Sequence, residues 1–168
     1  MNRAYSVIYL LLTILIIGCE QTTKRTSILS EESYELEKNA ILETLLNETN
    51  AAFGRDYQSW RTNWVHRSNV SKTYMNFPDD TYSEMTSWED IDDFVRTYIK
   101  EHPEPAPPPA QPENINIKIY GTGAWVSYEI LDEVFGKKRE TRLMEKEDGI
   151  WKIARMHTTI YGFKKNKK

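Results

Sequence analysis

The chain has 168 residues, 39% of them hydrophobic, and a net charge of −3. That length suffices for one hydrophobic core, and the acidic balance argues against a nucleic-acid partner. Cys19 is the only cysteine, so no disulfide forms within the chain and the fold rests on its core.

The first segment carries the clearest signal. Arg3 precedes an apolar run, residues 7–17, that Tyr9 and Thr13 interrupt. A membrane-spanning helix takes about 20 apolar residues, and this run is shorter. Its positive start, apolar middle and small-residue end have the layout of a secretory signal peptide. The ending Ile16-Ile17-Gly18-Cys19 resembles the lipobox of bacterial lipoproteins. The resemblance implies cleavage before Cys19, a diacylglyceryl group on its thiol and an acyl group on the new amine. Several acyl chains hold a protein stably to a bilayer. The expected location is the bacterial cell envelope, with Cys19 in membrane lipid and the domain facing the periplasm or the exterior. Residues 1–18 then form the signal peptide, 19–30 the lipidated cysteine with a polar tether, 31–163 the folded domain and 164–168 a basic, solvated tail.

Ser30 before Glu31 and Glu32 suits a helix start, with acids at the positive end of the dipole. Ile41, Leu42, Leu45, Leu46, Thr49, Ala52 and Phe53 repeat at helical spacing, and Gly54 is a stop. Asp56 caps a short second helix that carries Tyr57, Trp60 and Trp64 on one face. Residues 72–77 read as a strand, closed by a Pro78-Asp79-Asp80 turn. Thr86-Ser87-Trp88-Glu89 reads as a capping box. The helix behind it aligns Trp88, Ile91, Phe94, Val95, Tyr98 and Ile99, and Pro103 stops it. Residues 103–112, rich in proline, form a stiff surface loop.

Alternation then takes over. Ile115, Ile117 and Ile119 share one face, as do Ala124, Val126, Tyr128 and Ile130. Gly136 and Asp148-Gly149 mark turns between antiparallel strands. The last strand places Trp151, Ile153, Arg155, His157 and Thr159 on one side. Helices segregated from a run of strands make an α+β domain. A curved antiparallel sheet wrapped around the long N-terminal helix, with two further helices, accommodates the many aromatic residues.

From Glu35 to Thr159 the chain resembles the nuclear-transport-factor-2-like superfamily, near its SnoaL-like bacterial members. The resemblance is carried by Ala51-Ala52-Phe53 with Asp56-Tyr57, by Trp64-Val65-His66, by Ser87-Trp88-Glu89-Asp90-Ile91, by residues 123–129 and by Asp148-Gly149-Ile150-Trp151-Lys152-Ile153 leading to His157. It implies a cone whose bent sheet and helices enclose one pocket, and a homodimer through the sheet. The family includes isomerases, dehydratases, cyclases and domains with no known activity, so the fold does not choose a function. The steroid-isomerase type uses an aspartate on the first strand and a tyrosine on the first helix. Residues 72–77 hold no carboxylate, and the helix near Thr49 and Asn50 holds no tyrosine. No catalytic residue is assigned on that pattern.

Trp64, Tyr74 and Trp88, with Trp60, either line an apolar pocket or fill the core. Arg142 either meets an anionic ligand or pairs across strands with Glu129 or Glu145. His66 and His157 are acid–base candidates, although structural histidines are the more ordinary case, and no metal-binding spacing joins them. His157 is expected to face the cavity, because it shares strand parity with Trp151 and Ile153, and Tyr128 lies across the sheet. His102 lies in an exposed loop. The expected function is a membrane-anchored binder of a small, largely apolar ligand through Trp64, His66, Tyr74, Trp88, Tyr128, Arg142 and His157. No cofactor or metal is expected. An enzyme using histidine acid–base groups and an assembly domain with a vestigial pocket are the alternatives.

Overall fold

A computed structural model describes residues 30–132 and 136–162. The signal peptide, Cys19, the tether up to residue 29, Phe163 and the basic tail lie outside the described residues. No helix among the described residues is long and apolar enough to cross a membrane.

Helix α1 spans Glu31–Gly54. Ser30 Oγ caps it by accepting from the Ser33 N–H at 3.2 Å. The left-handed residue at its end is Arg55 (φ 61), after Gly54. The guanidinium of Arg55 donates to the carbonyls of Ala52 and His102, at 2.8 and 2.9 Å, and so ties down a conformation glycine usually takes. The buried stripe of α1 is Ile41, Thr44, Leu45, Glu48 and Ala51. It runs through two polar residues, while Leu46 is exposed.

Helix α2 (Tyr57–Thr62) starts at Asp56, which accepts from the Ser59 N–H. Strands β1 (Ser71–Asn76) and β2 (Thr81–Met85) form a hairpin, and β2 is an element the sequence pattern does not announce. Helix α3 spans Trp88–Glu101. Its cap is Ser87, whose Oγ accepts from the Asp90 N–H at 3.1 Å, one residue beyond the expected capping box. Its fully packed positions are Trp88, Ile91 and Val95, and Phe94 and Tyr98 stay exposed.

Strands β3 (Glu113–Tyr120), β4 (Gly123–Asp132), β5 (Gly136–Glu147) and β6 (Ile150–Ile160) complete a curved six-stranded sheet of order β2-β1-β6-β5-β4-β3. This is the expected α+β architecture. One pairing differs: β1 runs parallel to β6. The segment before β1 causes this. The Val65 N–H donates to the Ile153 carbonyl and the Ile153 N–H to the Asn63 carbonyl, at 2.9 and 2.8 Å. The chain thus enters β1 already aligned with β6.

Helix α1 lies against the sheet. Its Thr44 hydroxyl donates to the Trp151 carbonyl, and its Glu37 accepts from Lys146 Nζ and Trp151 Nε1. Trp151 and Ile153 are buried, as expected for anchors of the last strand. The register of β5 against β6 shifts by one residue, since Leu143 faces Arg155 and Met144 faces Ile153. Ala154 is the extra residue, a β-bulge that reverses the alternation of β6. Ile153 and Ala154 are both buried, then Met156 and Thr158, with Arg155 and His157 exposed.

Candidate functional site

The strand register lines up the side chains of the helix-covered face in two rows. One row reads Lys72 (β1), Met156 (β6), Arg142 (β5), Val126 (β4) and Ile117 (β3). The next reads Tyr74, Thr158, Glu140 and Tyr128. Except for half-buried Tyr74, all of these are buried. Five polar side chains of these rows, Lys72, Arg142, Thr158, Glu140 and Tyr128, thus lie in the interior, where isolated polar groups are costly.

Most of them pair. Arg142 Nη2 donates to Glu140 Oε2 at 2.6 Å, Tyr128 Oη donates to the same oxygen at 2.8 Å, and Arg142 Nε donates to Tyr128 Oη at 3.3 Å. Helix α1 contributes Glu48. Its Oε1 accepts from Trp60 Nε1 at 2.9 Å and Trp64 Nε1 at 3.3 Å, and its Oε2 stands 3.8 Å from Arg142 Nη2. Burial opposes ionisation of Glu140, but Arg142 and the Tyr128 hydroxyl outweigh it and hold the carboxyl below its ordinary value. Burial likewise opposes charge on Arg142, yet Tyr128, Glu140 and Glu48 keep it firmly protonated. Burial pushes the Tyr128 hydroxyl up, so it stays neutral.

Two polar atoms here have no partner among the described residues: Arg142 Nη1 and Thr158 Oγ1. Lys72 is a third unusual group. Its Nζ lies 5.5, 5.4 and 5.7 Å from the ring centroids of Trp60, Trp64 and Tyr74. Such cation–π contacts attract an ammonium, but they supply no acceptor lone pair. Trp60 stacks on Trp88 at 5.8 Å and tilts against Trp64 at the same distance. Trp60 and Trp64 are completely buried, so the tryptophans close this interior.

The structure therefore brings Trp64, Tyr74, Tyr128 and Arg142 to one face, with Trp88 behind Trp60. It does not bring the histidines there. His66 is exposed; its ring stacks on Trp88 at 3.8 Å and its Nε2 lies 2.8 Å from the Arg61 carbonyl. His157 is exposed on the opposite side of the sheet, in register with Thr141 and Thr73. The bulge at Ala154 corrects the expected parity: Trp151 and Ile153 face α1, and past the bulge so do Met156 and Thr158, which leaves His157 outside. Arg142 pairs with Glu140 and Glu48 instead of Glu129 or Glu145. Parity puts the latter two on the outer face, where Glu129 meets Lys137 and Glu145 meets Arg67.

Glu48, Lys72, Glu140 and Thr158 were not singled out from the sequence. Their signal was positional. Lys72 alternates with Tyr74, Glu140 with Arg142 and Met144, and Glu48 stands three residues from both Leu45 and Ala51. Among the described residues no cluster of three or more His, Cys, Asp or Glu side chains is placed to hold a metal ion. Two surface depressions, one beside Arg55, Tyr98 and His102 and one beside Asn47, Asp56 and Asn63, share no residue with the two rows.

No protein-family model and no curated protein matches the chain. Solved structures do match. A cystatin-like fold protein from Burkholderia xenovorans aligns with a TM-score of 0.60 at 15% identity, over 75% of this chain and 92% of that one. An NTF2-like protein of unknown function from Pseudomonas putida gives 0.58 at 11% identity, over 74% and 87%. Another from Methylobacillus flagellatus gives 0.55 at 19% identity, over 81% and 97%. At these identities the likeness concerns architecture alone, and the chain has the nuclear-transport-factor-2-like, cystatin-like cone fold.

Proposed function

We propose that the protein is a lipid-anchored envelope protein whose cone domain binds a small, largely apolar ligand on the helix-covered face of its sheet. The observation that carries this reading is Arg142. Its guanidinium is buried, and its Nη1 has no partner among the described residues. An unsatisfied buried donor costs about 1–3 kcal/mol. Well-packed apolar side chains often replace a buried ion pair at no loss of stability. Stability alone gives no reason to keep such a group, whereas recognition of a polar atom on a ligand does. Trp60, Trp64 and Tyr74 supply the apolar wall, Trp88 backs it, and Tyr128 belongs to the polar floor. Both interior carboxylates are engaged by donors, and His66 and His157 stand outside, which supports binding over catalysis. The lipobox-like ending at Cys19 supports the anchor. Native mass spectrometry of the full chain, extracted from membranes in detergent, tests both parts. The expected species carries the mass of a lipidated Cys19 and one retained small molecule. A bare polypeptide under gentle extraction removes the binding reading. Normal fatty-acid labelling of a Cys19→Ser variant removes the anchor.

A second reading rests on Trp125. It lies on the outer face of β4 and is 47% exposed, between Lys118 and Leu143. Exposed Tyr120 is its diagonal neighbour on β3. Exposed aromatic residues amid charges of both signs (Lys118, Arg139, Arg155, Glu84 and Glu129) suit pairing with a second copy of the chain. Sedimentation velocity of the detergent-extracted protein tests this. A dimer that Trp125→Ala dissociates supports it, and a wild-type monomer excludes it.

A further inference from the structure

We propose that the cone selects ligands bearing a single carboxylate, held by Lys72, Arg142 and Thr158. This rests on the small-ligand reading above and adds the chemistry of the head group.

The argument is one of unmet donors at adjoining register positions. Lys72 and Arg142 occupy the same row of the helix-covered face, one on each side of Met156. Two strand spacings separate them, roughly 10 Å, and both side chains are long enough to reach a common point above Met156. Thr158 stands in the adjoining row, two residues along β6 from Met156 and beside Tyr74. Lys72 is 5% exposed and Thr158 2%. Among the described residues Lys72 Nζ meets only ring faces, Arg142 Nη1 meets nothing and Thr158 Oγ1 meets nothing. The interior carboxylate on α1 is spent elsewhere, because Glu48 is engaged by two indole N–H groups and faces Arg142.

What is missing is therefore an acceptor. A ligand ammonium would add charge beside the Lys72 ammonium, which has no carboxylate partner among the described residues, and a neutral hydrocarbon would leave all three groups unmet. The charge count sets the size of the anion. Among the buried side chains Lys72 and Arg142 balance Glu48 and Glu140, so the interior of this face is neutral before binding. One carboxylate adds a single negative charge against three donors, whereas a phosphate monoester at neutral pH carries nearly two and demands more donors than this wall of aromatic residues offers. The two carboxylate oxygens can take charge-assisted bonds from Lys72 and Arg142 and a third bond from the Thr158 hydroxyl. The hydrocarbon body then lies against Trp60, Trp64 and Tyr74. Space for it comes from Met156, whose unbranched thioether side chain turns aside more easily than the locked tryptophans.

Cyclohexanecarboxylate and its neutral counterpart cyclohexylmethanol are the probes. Both are titrated by calorimetry at neutral pH into the full chain in detergent. The carboxylate is expected to bind at least tenfold more tightly than the alcohol. Lys72→Met keeps the bulk and removes the charge, and it should erase that preference, weakening the carboxylate far more than the alcohol. A charge-assisted bond corresponds to about one to two powers of ten in affinity. Thr158→Val is the second variant, with a smaller loss confined to the carboxylate, so the result does not depend on one variant's stability. Equal binding of the two probes, or a Lys72→Met protein with unchanged preference, overturns the carboxylate assignment and leaves the small-ligand reading standing. Binding of neither probe overturns both.

Discussion

Replacing Arg142 with methionine isolates the energetics of the buried network. The substitution keeps an unbranched apolar stem and removes the guanidinium charge opposite Glu140 and Glu48, which are both almost fully buried. Breaking a buried ion pair from one side costs about 3–5 kcal/mol, because the remaining carboxylate is left uncompensated. With a urea m-value near 2 kcal/mol per molar, that lowers the unfolding midpoint by roughly 2 M. The double variant Glu140→Gln, Arg142→Met should recover most of the loss. The pH dependence supplies the sign. In the native protein the Glu140 carboxyl lies below its ordinary value of 4.5, so its stabilising contribution is complete above that value and is lost as pH falls through the lower folded value. In Arg142→Met the opposing effect of burial dominates and lifts the folded value above 4.5. The variant should then be least stable at neutral pH and regain stability as pH falls through the raised value. Urea unfolding of the detergent-extracted full chain, followed by far-ultraviolet circular dichroism from pH 4 to 8, reads both effects. A single variant that loses less than about 1 kcal/mol, or one whose pH profile parallels the native one, refutes the reasoning.

Three further outcomes are expected. Trp151→Ala removes a side chain that packs in the core and donates from Nε1 to Glu37, and should destabilise the protein by about 3–5 kcal/mol in the same assay. Gly162 has a φ of +68, and a Cβ there would lie 2.1 Å from Pro78 Cγ; Gly162→Ala should cost about 1–3 kcal/mol, and an unchanged midpoint would mean the β1–β2 turn yields freely. His157→Ala removes an exposed ring from the outer face and should change stability by less than about 0.5 kcal/mol and leave carboxylate binding unaltered in calorimetry.

Helices α1, α2 and α3 and strands β3 to β6 are legible in the sequence because caps, apolar spacing and glycine turns agree there. Strand β2 is not, because only Met85 of it is buried and its exposed residues carry no alternation. The two ends of the site separate in the same way. Trp64, Tyr74 and Arg142 stand out by residue type. Glu48, Lys72 and Glu140 do not, since charged side chains almost never sit in a core, and a reading that assigns charge to solvent discards the residues that matter. His157 fails for a different reason. Strict alternation through Ile153-Ala154 points His157 inward, and a small residue such as Ala154 gives little sign that it is the extra one. The adjacency of two apolar residues in Trp151-Lys152-Ile153-Ala154-Arg155-Met156 was the available hint.

The bulge also gives β6 one residue that sets its curvature and carries none of its facing. Ala154→Ser or Ala154→Gly leaves the count unchanged and hence every later side chain on its side. Deleting Ala154 takes out only the extra residue, so Ile153 and Arg155 become neighbours opposite Met144 and Leu143 and the strand alternates regularly. Arg155 and His157 would stay on the outer face, and Met156 and Thr158 would stay turned toward α1, so both polar rows keep their middle. The parallel partner β1 is registered to that half from Ser71↔Arg155 to Asn76↔Ile160. One missing residue would therefore leave that pairing in register and remove only the local bend and added twist that the bulge gives the sheet. In this fold a single-codon deletion at Ala154 changes the curvature of the floor and not which side chains line it.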